Sequence, residues 1–362
     1  MDIDQLPGSD ADWAAESTFA FAGLGAVIAG WETKVPIDIK SFKLHENTVE
    51  YAEGDCARII GPMPDRGPAT GMILHRGEIV AQWGTPARRD VAFSVTKGCL
   101  SMLAGMALDR GLIPALDAPV SASVTAPEFG SANATITWRQ LMTLTSEWQG
   151  SLWGIPDSID FHRTVPKPAS GPAKGSPRDR RAPGTLWEFN DVRVNVLALA
   201  LTLAWGESLD EVLRREVMTP IGATPDWIWH GYDNAEIQIA GKAVPVVSGG
   251  AHWGGGLIAS TYDLARLGLL YARRGDWGKA LVSPLWFDAL RAPTPLKPEF
   301  GLMWWNNGGQ LIPPLSRQAI WSSGIANFLC VDPARDLVVV LRWYDVLRRD
   351  EILARIVAAL PA

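Results

Sequence analysis

The strongest constraint on how this chain can fold lies at Phe93-Ser94-Val95-Thr96-Lys97. A serine stands three residues before a lysine, and the apolar run Cys99 to Leu108 follows. At a helix start this spacing puts both side chains on one face, a turn apart. The amine can then take the hydroxyl proton that a serine must lose to become a nucleophile. The positive end of the helix favours an alkoxide and a partly deprotonated lysine. Ser-x-x-Lys alone is a weak signal. A strand-like segment before it and a helix after it give it weight.

The remaining pattern has to fit around that turn. Gly71 to Trp83 reads as a β-hairpin, with two apolar runs flanking Arg76-Gly77-Glu78. The helix from Ser94 to Arg110 is closed by Gly111, with Pro114 beyond it. Further helices are predicted over Ile136 to Thr145, Val192 to Ala204, Leu209 to Met218, Tyr262 to Arg273 (capped by Ser260 or Thr261) and Glu351 to Leu360. Asn327 to Val331 and Leu337 to Trp343 read as a strand pair joined at 332–336. Ser146 to Pro183 is rich in Pro, Gly, Ser and Arg and lacks periodicity. It reads as a lid or pocket wall, with disorder as the other reading.

Strands at both ends around a helix-rich middle predict an α+β fold. An antiparallel sheet flanked by helices is closed by both termini, with an inserted all-helical domain. On this reading 1–130 and 290–362 form the α/β domain. Residues 131–289 form a mainly helical insertion that carries the loop 146–183.

Net charge is −6 with no basic run, which argues against a nucleic-acid partner. Three cysteines, Cys56, Cys99 and Cys330, have no paired spacing, and the five histidines show no ligand pairing. No disulfide framework, metal or cofactor is therefore expected. The apolar stretch Phe19 to Ala29 is too short to span a bilayer, and acidic residues precede it rather than the basic region of a secretory signal. A cytoplasmic protein with no membrane partner is expected. Tryptophan is unusually frequent, and Trp148, Trp153, Trp187, Trp253, Trp304, Trp305 and Trp321 flank the motifs. They read either as a Trp-rich core or as the lining of a cleft for a hydrophobic group.

The motifs also follow an order. After Ser94 and Lys97 come Ile136-Thr137 through Thr145-Ser146 and then Pro183-Gly184-Thr185 through Phe189-Asn190-Asp191. Gly254-Gly255-Gly256 and Trp321-Ser322-Ser323-Gly324 come last. From about residue 65 onward this resembles the class C β-lactamase family, with its related esterases, D-amino-acid peptidases and nylon-oligomer hydrolases. The resemblance implies the β-lactamase/penicillin-binding-protein fold, acylation at Ser94 and proton acceptance by Lys97.

Two motifs depart from the family pattern. Where the family has Tyr-x-Asn, this chain has Phe189-Asn190-Asp191, so the family's proton-shuttling hydroxyl is missing. Asp191 takes the asparagine position, either holding Lys97 as a cation or capping the next helix. Where the family has a Lys-Thr-Gly or His-Thr-Gly strand, this chain has Trp321-Ser322-Ser323. No cation is there to grip a substrate carboxylate, which argues against a β-lactamase or a D-Ala-D-Ala carboxypeptidase. The backbone N–H of Gly324 is expected to join that of Ser94 in an oxyanion hole. Arg266 and Arg342 lie near motif ends without a clear aim, and His252 reads as structural.

The expected function is a serine hydrolase acting through a Ser94 acyl-enzyme on an uncharged or hydrophobic ester or amide. Trp148, Trp187, Asn190, Trp253, Trp321 and Ser322 are the expected substrate-binding residues. The alternatives are a weakened or engineered-inactive binding protein on the same scaffold, or an acyltransferase. Oligomeric state is left open.

Overall fold

A computed structural model describes residues 13, 19–41, 58–164, 170–251 and 253–360. Cys56 and His252 lie outside the described residues. A seven-stranded antiparallel sheet organises the molecule. Edge to edge its strands are Glu78–Trp83, Thr70–His75, Leu337–Arg342, Asn327–Asp332, Ile320–Gly324, Trp304–Asn306 and Phe300–Gly301. The central run Leu337–Arg342 is wholly buried, so Leu337 to Leu341 are apolar without alternation and only Arg342 at its end is charged. The helices Phe19–Ala29, Arg349–Ala359 and Thr261–Ala272 pack about the sheet. Gly268 lets the last of these lie flush, since a Cβ there would meet Val338 at 2.5 Å. The two ends of the chain meet, with Thr33 N–H donating to Trp343 O and Asp345 N–H to Trp31 O.

The expected α+β fold with a helix-flanked antiparallel sheet is present. The helices over 97–109, 191–205, 261–272 and 349–359 stand within a few residues of their predicted bounds. Ser260 caps the third of them in a reciprocal capping box with Asp263. The all-helical insertion needs correction. Ile228–Ile239 and Lys242–Val247 form a hairpin that joins Gly256–Ala259 and Asp90–Val91 in a second, four-stranded sheet. Trp229, Tyr232 and Ala235 are its buried positions, every third residue, because the register slips between Gly231 and Glu236. A bulged strand loses the period-two pattern by which strands are read from sequence. Among the described residues no helix is long and apolar enough to cross a membrane.

Candidate active site

The strand Asp90–Val91 delivers the chain to Ser94. Ala92 N–H bonds Leu257 O, and Phe93 then turns with φ +48°, a left-handed conformation unusual for a bulky residue. Ser94 follows in the short 3-10 turn Phe93–Thr96, which runs into the helix Lys97–Asp109. Gly250 makes the tight turn possible: a Cβ there would lie 2.0 Å from Phe93 O. Arg342, buried, fastens the surroundings. Its guanidinium donates to Val91 O, Ala259 O and Asn327 Oδ1, three points on three different strands.

The helix turn brings Lys97 Nζ to 2.6 Å from Ser94 Oγ. The same amine donates to Asp191 Oδ1 at 2.9 Å, and all three side chains are buried or nearly so. Asp191 is the first residue of the helix Asp191–Trp205. The helix cap is Asn190, whose side chain accepts from Arg193 N–H. The two readings of Asp191 thus separate: Asn190 caps, and Asp191 faces the lysine. Burial pushes the Lys97 amine below the ordinary lysine range, and the attraction of Asp191 offsets only part of that. Burial alone would raise the Asp191 carboxyl. The neighbouring Lys97 and Arg163 reverse this and hold it below the usual carboxylate range.

Arg163 and Asp160 were not signalled by any motif. Arg163 Nη1 donates to Asp191 Oδ2 at 2.7 Å and to Asp160 Oδ2 at 3.2 Å. Lys174 Nζ lies 3.1 Å from Asp160 Oδ1. A second buried cluster lies alongside. Arg193 joins Glu147, Asp157 and Glu188, Arg178 bridges Glu147 and Glu188, and Arg180 grips Asp157 with both terminal nitrogens. These pairs pin the described parts of the segment 146–183 as a wall beside Lys97.

Phe189 is buried. Lys97 Nζ stands 5.2 Å and Arg163 Cζ 4.9 Å from its ring centre, so the ring serves both cations through its π face. Phe189 stacks near-parallel on Trp305 (6.4 Å, 13°), and Trp305 on Trp321 (6.3 Å, 10°). Trp187 closes the cluster against Phe189 and Phe300. Of the six expected substrate-binding residues, Trp187 and Trp321 therefore belong to this aromatic wall.

The other four have different places. Trp148 is buried and donates Nε1–H to Glu128 O, and Trp253 is fully buried against Tyr232. Asn190 is fully buried, with its amide spent on Asp157 O and the helix cap. All three are packed into the interior around the site. Ser322 Oγ–H donates to Ser94 O at 2.9 Å, so it fixes the backbone at Ser94.

Gly324, the expected oxyanion donor, ends the strand Ile320–Gly324. Gly324 pairs with Asn327 across the two-residue turn Ile325-Ala326, both of which have positive φ. Trp343 N–H donates to Ala326 O on the far side of Asn327, flanking the pair Asn327/Arg342. Peptide groups alternate direction along an antiparallel strand, so the N–H and C=O of Asn327 turn towards Gly324 and engage its amide. The next amide, that of Ile325, lies in the turn, beyond the last ladder pair. Among the described residues neither Ile325 N–H nor Ser94 N–H has an acceptor. Gly324 has a separate role: a Cβ there would lie 2.5 Å from Ser94 N, so only glycine lets the strand approach this closely.

A mixed α+β fold of antiparallel sheets and packed helices is that of β-lactamases and penicillin-binding-protein homologues. The Beta-lactamase family profile matches residues 57–355, and the chain belongs to that family. Among solved structures it is similar to a penicillin-binding-protein homologue from Caulobacter crescentus, at 18% identity and TM-score 0.59, covering 81% of this chain and 92% of that one. A family VIII carboxylesterase is similar at 16% identity and TM-score 0.59, covering 81% and 92%. So is EstCE1, a hydrolase with promiscuous acyltransferase activity, at 15% identity and TM-score 0.58, covering 81% and 93%. No curated protein matches the chain.

Proposed function

We propose that this protein is a serine hydrolase that opens an ester or amide through an acyl-enzyme at Ser94. The reading rests above all on the 2.6 Å contact between Lys97 Nζ and Ser94 Oγ. Ser94 Oγ attacks the substrate carbonyl while its proton passes to Lys97 Nζ. The Ser94 and Ile325 amides receive the oxyanion. Collapse breaks the bond to the leaving group, which takes the proton back from Lys97. Water then attacks the acyl-enzyme with Lys97 again as base, the bond to Ser94 Oγ breaks, Oγ takes that proton back from Lys97, and the acid is released. The aromatic wall of Phe189, Trp305 and Trp321 suits an uncharged, hydrophobic acyl group. The substrate is a small molecule, and the chemistry asks for no cofactor.

Phe189 favours a second reading, a scaffold with weakened turnover or one that passes its acyl group to an acceptor other than water. Without the hydroxyl, Lys97 must both take and return the proton.

Intact-protein mass spectrometry after exposure to a fluorophosphonate and a p-nitrophenyl ester tests both. Labelling of the parent that disappears in Ser94→Ala is the expected result. An acyl adduct that persists for minutes would favour the second reading. A parent left unlabelled by both reagents would defeat the hydrolase.

A further inference from the structure

The charges buried around Lys97 do not balance in the way an isolated lysine–aspartate pair would. Three cations, Lys97, Arg163 and Lys174, share two carboxylates, Asp160 and Asp191. This cluster is neutral once one of its two lysines has given up its proton, and Lys97, with 3% of its side chain exposed against 6% for Lys174, is the more enclosed of the two. The adjoining cluster of Glu147, Asp157 and Glu188 with Arg178, Arg180 and Arg193 is balanced within itself and lends no spare negative charge. Excess charge in a buried site is costly, so the surroundings favour the neutral amine.

Arg163 decides this balance. It takes one oxygen of Asp191 at 2.7 Å while Lys97 takes the other at 2.9 Å. Without Arg163, a single carboxylate would face a single amine, and a lysine held that way stays protonated and makes a poor base.

We propose that Arg163 is the positioning residue that lets Lys97 work as a base: by claiming the second oxygen of Asp191, it denies Lys97 the full charge of that carboxylate. The groups facing Lys97 are consistent with this. Its own 3-10 turn offers Ser94, and the helix Asp191–Trp205 offers Asp191. The turn at 157–163 offers Asp160 and Arg163, and the long loop brings Lys174 to Asp160. The closing strand offers Ser322, already bonded to Ser94 O. On the hairpin, the Tyr232 phenol is bonded to Asn195 and kept protonated by burial.

The proposal rests on Ser94 and Lys97 being the nucleophile and base, and a measurement that needs no turnover separates the two claims. The Cε carbon-13 signal of Lys97, assigned by its loss in Lys97→Ala, is titrated in the parent, Arg163→Gln, Arg163→Lys and Asp160→Asn. Fluorophosphonate labelling rates are followed across pH in parallel, with thermal melts to establish that each variant is folded. The parent should titrate below the ordinary lysine range. Arg163→Gln should move the midpoint up by about one unit or more and slow labelling near neutral pH by about tenfold. Arg163→Lys should restore both. Asp160→Asn, which removes a negative charge, should move the midpoint the other way. If Arg163→Gln and Asp160→Asn both slow labelling while the midpoint stays put, Arg163 is a structural staple and the proposal is overturned. A midpoint that shifts as expected in a parent that is never labelled would uphold the role of Arg163 and overturn the hydrolase.

Discussion

At the scale of single residues, the chemistry turns on what surrounds one amine. On the proposed mechanism Lys97 must be neutral to take the Ser94 proton, and burial lowers its affinity for protons. Acylation should therefore rise with pH and level off below the range of an exposed lysine, a limb readable from labelling rates. On the proposed reading, Phe189 stands where a proton-carrying hydroxyl is missing. Its ring contacts Lys97 and Arg163 through the π face, so Phe189→Tyr adds a hydroxyl without removing those contacts. If the missing group is a true general acid/base, this change should raise turnover of an unactivated ester about 10²-fold. An unchanged rate in a folded variant would show that Lys97 already carries the whole proton transfer. Gly324→Ala is expected to act in the opposite direction. Its Cβ would press on Ser94 N, Ser94 Cβ and Phe93 Cβ at 2.5, 2.9 and 3.0 Å, so labelling should fall sharply, with about 1–3 kcal/mol lost in denaturant melts.

At the scale of elements, the segment 146–183 shows how an aperiodic stretch becomes a wall. It has few apolar side chains to bury, and its described parts are held by ion pairs around Arg193, which is fully buried. Asp157→Asn leaves the buried Arg193 with less compensating charge and should cost about 3–5 kcal/mol in urea unfolding. The same pairs carry a pH signature. Burial alone would raise Glu147, but its bonds to Arg178 and the Arg181 amide, with the charge of Arg193, bring it down to about 2. A carboxylate depressed by folding contributes stability above its unfolded value near 4.5, and that contribution is lost as pH falls toward 2. Limited proteolysis between those pH values should cut the 146–183 segment before the central sheet opens. Simultaneous loss of both would show that the wall and the sheet unfold as one unit.

At the scale of the whole molecule, the site is assembled from distant parts of the chain, and Arg342 joins several of them. It links the strand leading to Ser94, the strand Gly256–Ala259 and the hairpin that carries Gly324 and Ile325. Arg342→Met would leave three buried acceptors unpaired, at about 1–3 kcal/mol each. Thermal melts should show a large loss of stability, and the surviving folded protein should label slowly because Ser94 and Ile325 are no longer held in register. Full-rate labelling in the folded fraction would mean that the two halves of the site are positioned independently.

The local interactions in this protein are legible from sequence alone. Ser94 and Lys97 lie three residues apart, so the helix repeat dictates their meeting. The hairpin at 70–83, the glycine after the first long helix and the box at Ser260 and Asp263 follow from nearest-neighbour chemistry in the same way. The contacts that decide the site's electrostatics span tens or hundreds of residues, and no periodicity records them. Lys97 meets Asp191 across 94 positions and Asp191 meets Arg163 across 28. The bulged strand Ile228–Ile239 concealed its own pattern, and Trp148, Trp253 and Asn190 look the same in sequence whether they line a cleft or fill a core. Sequence determined which groups could do chemistry. Only the tertiary structure decided which amide is free, which tryptophans are buried and how many charges share one carboxylate, because those depend on burial and on the register of strands brought together from far along the chain.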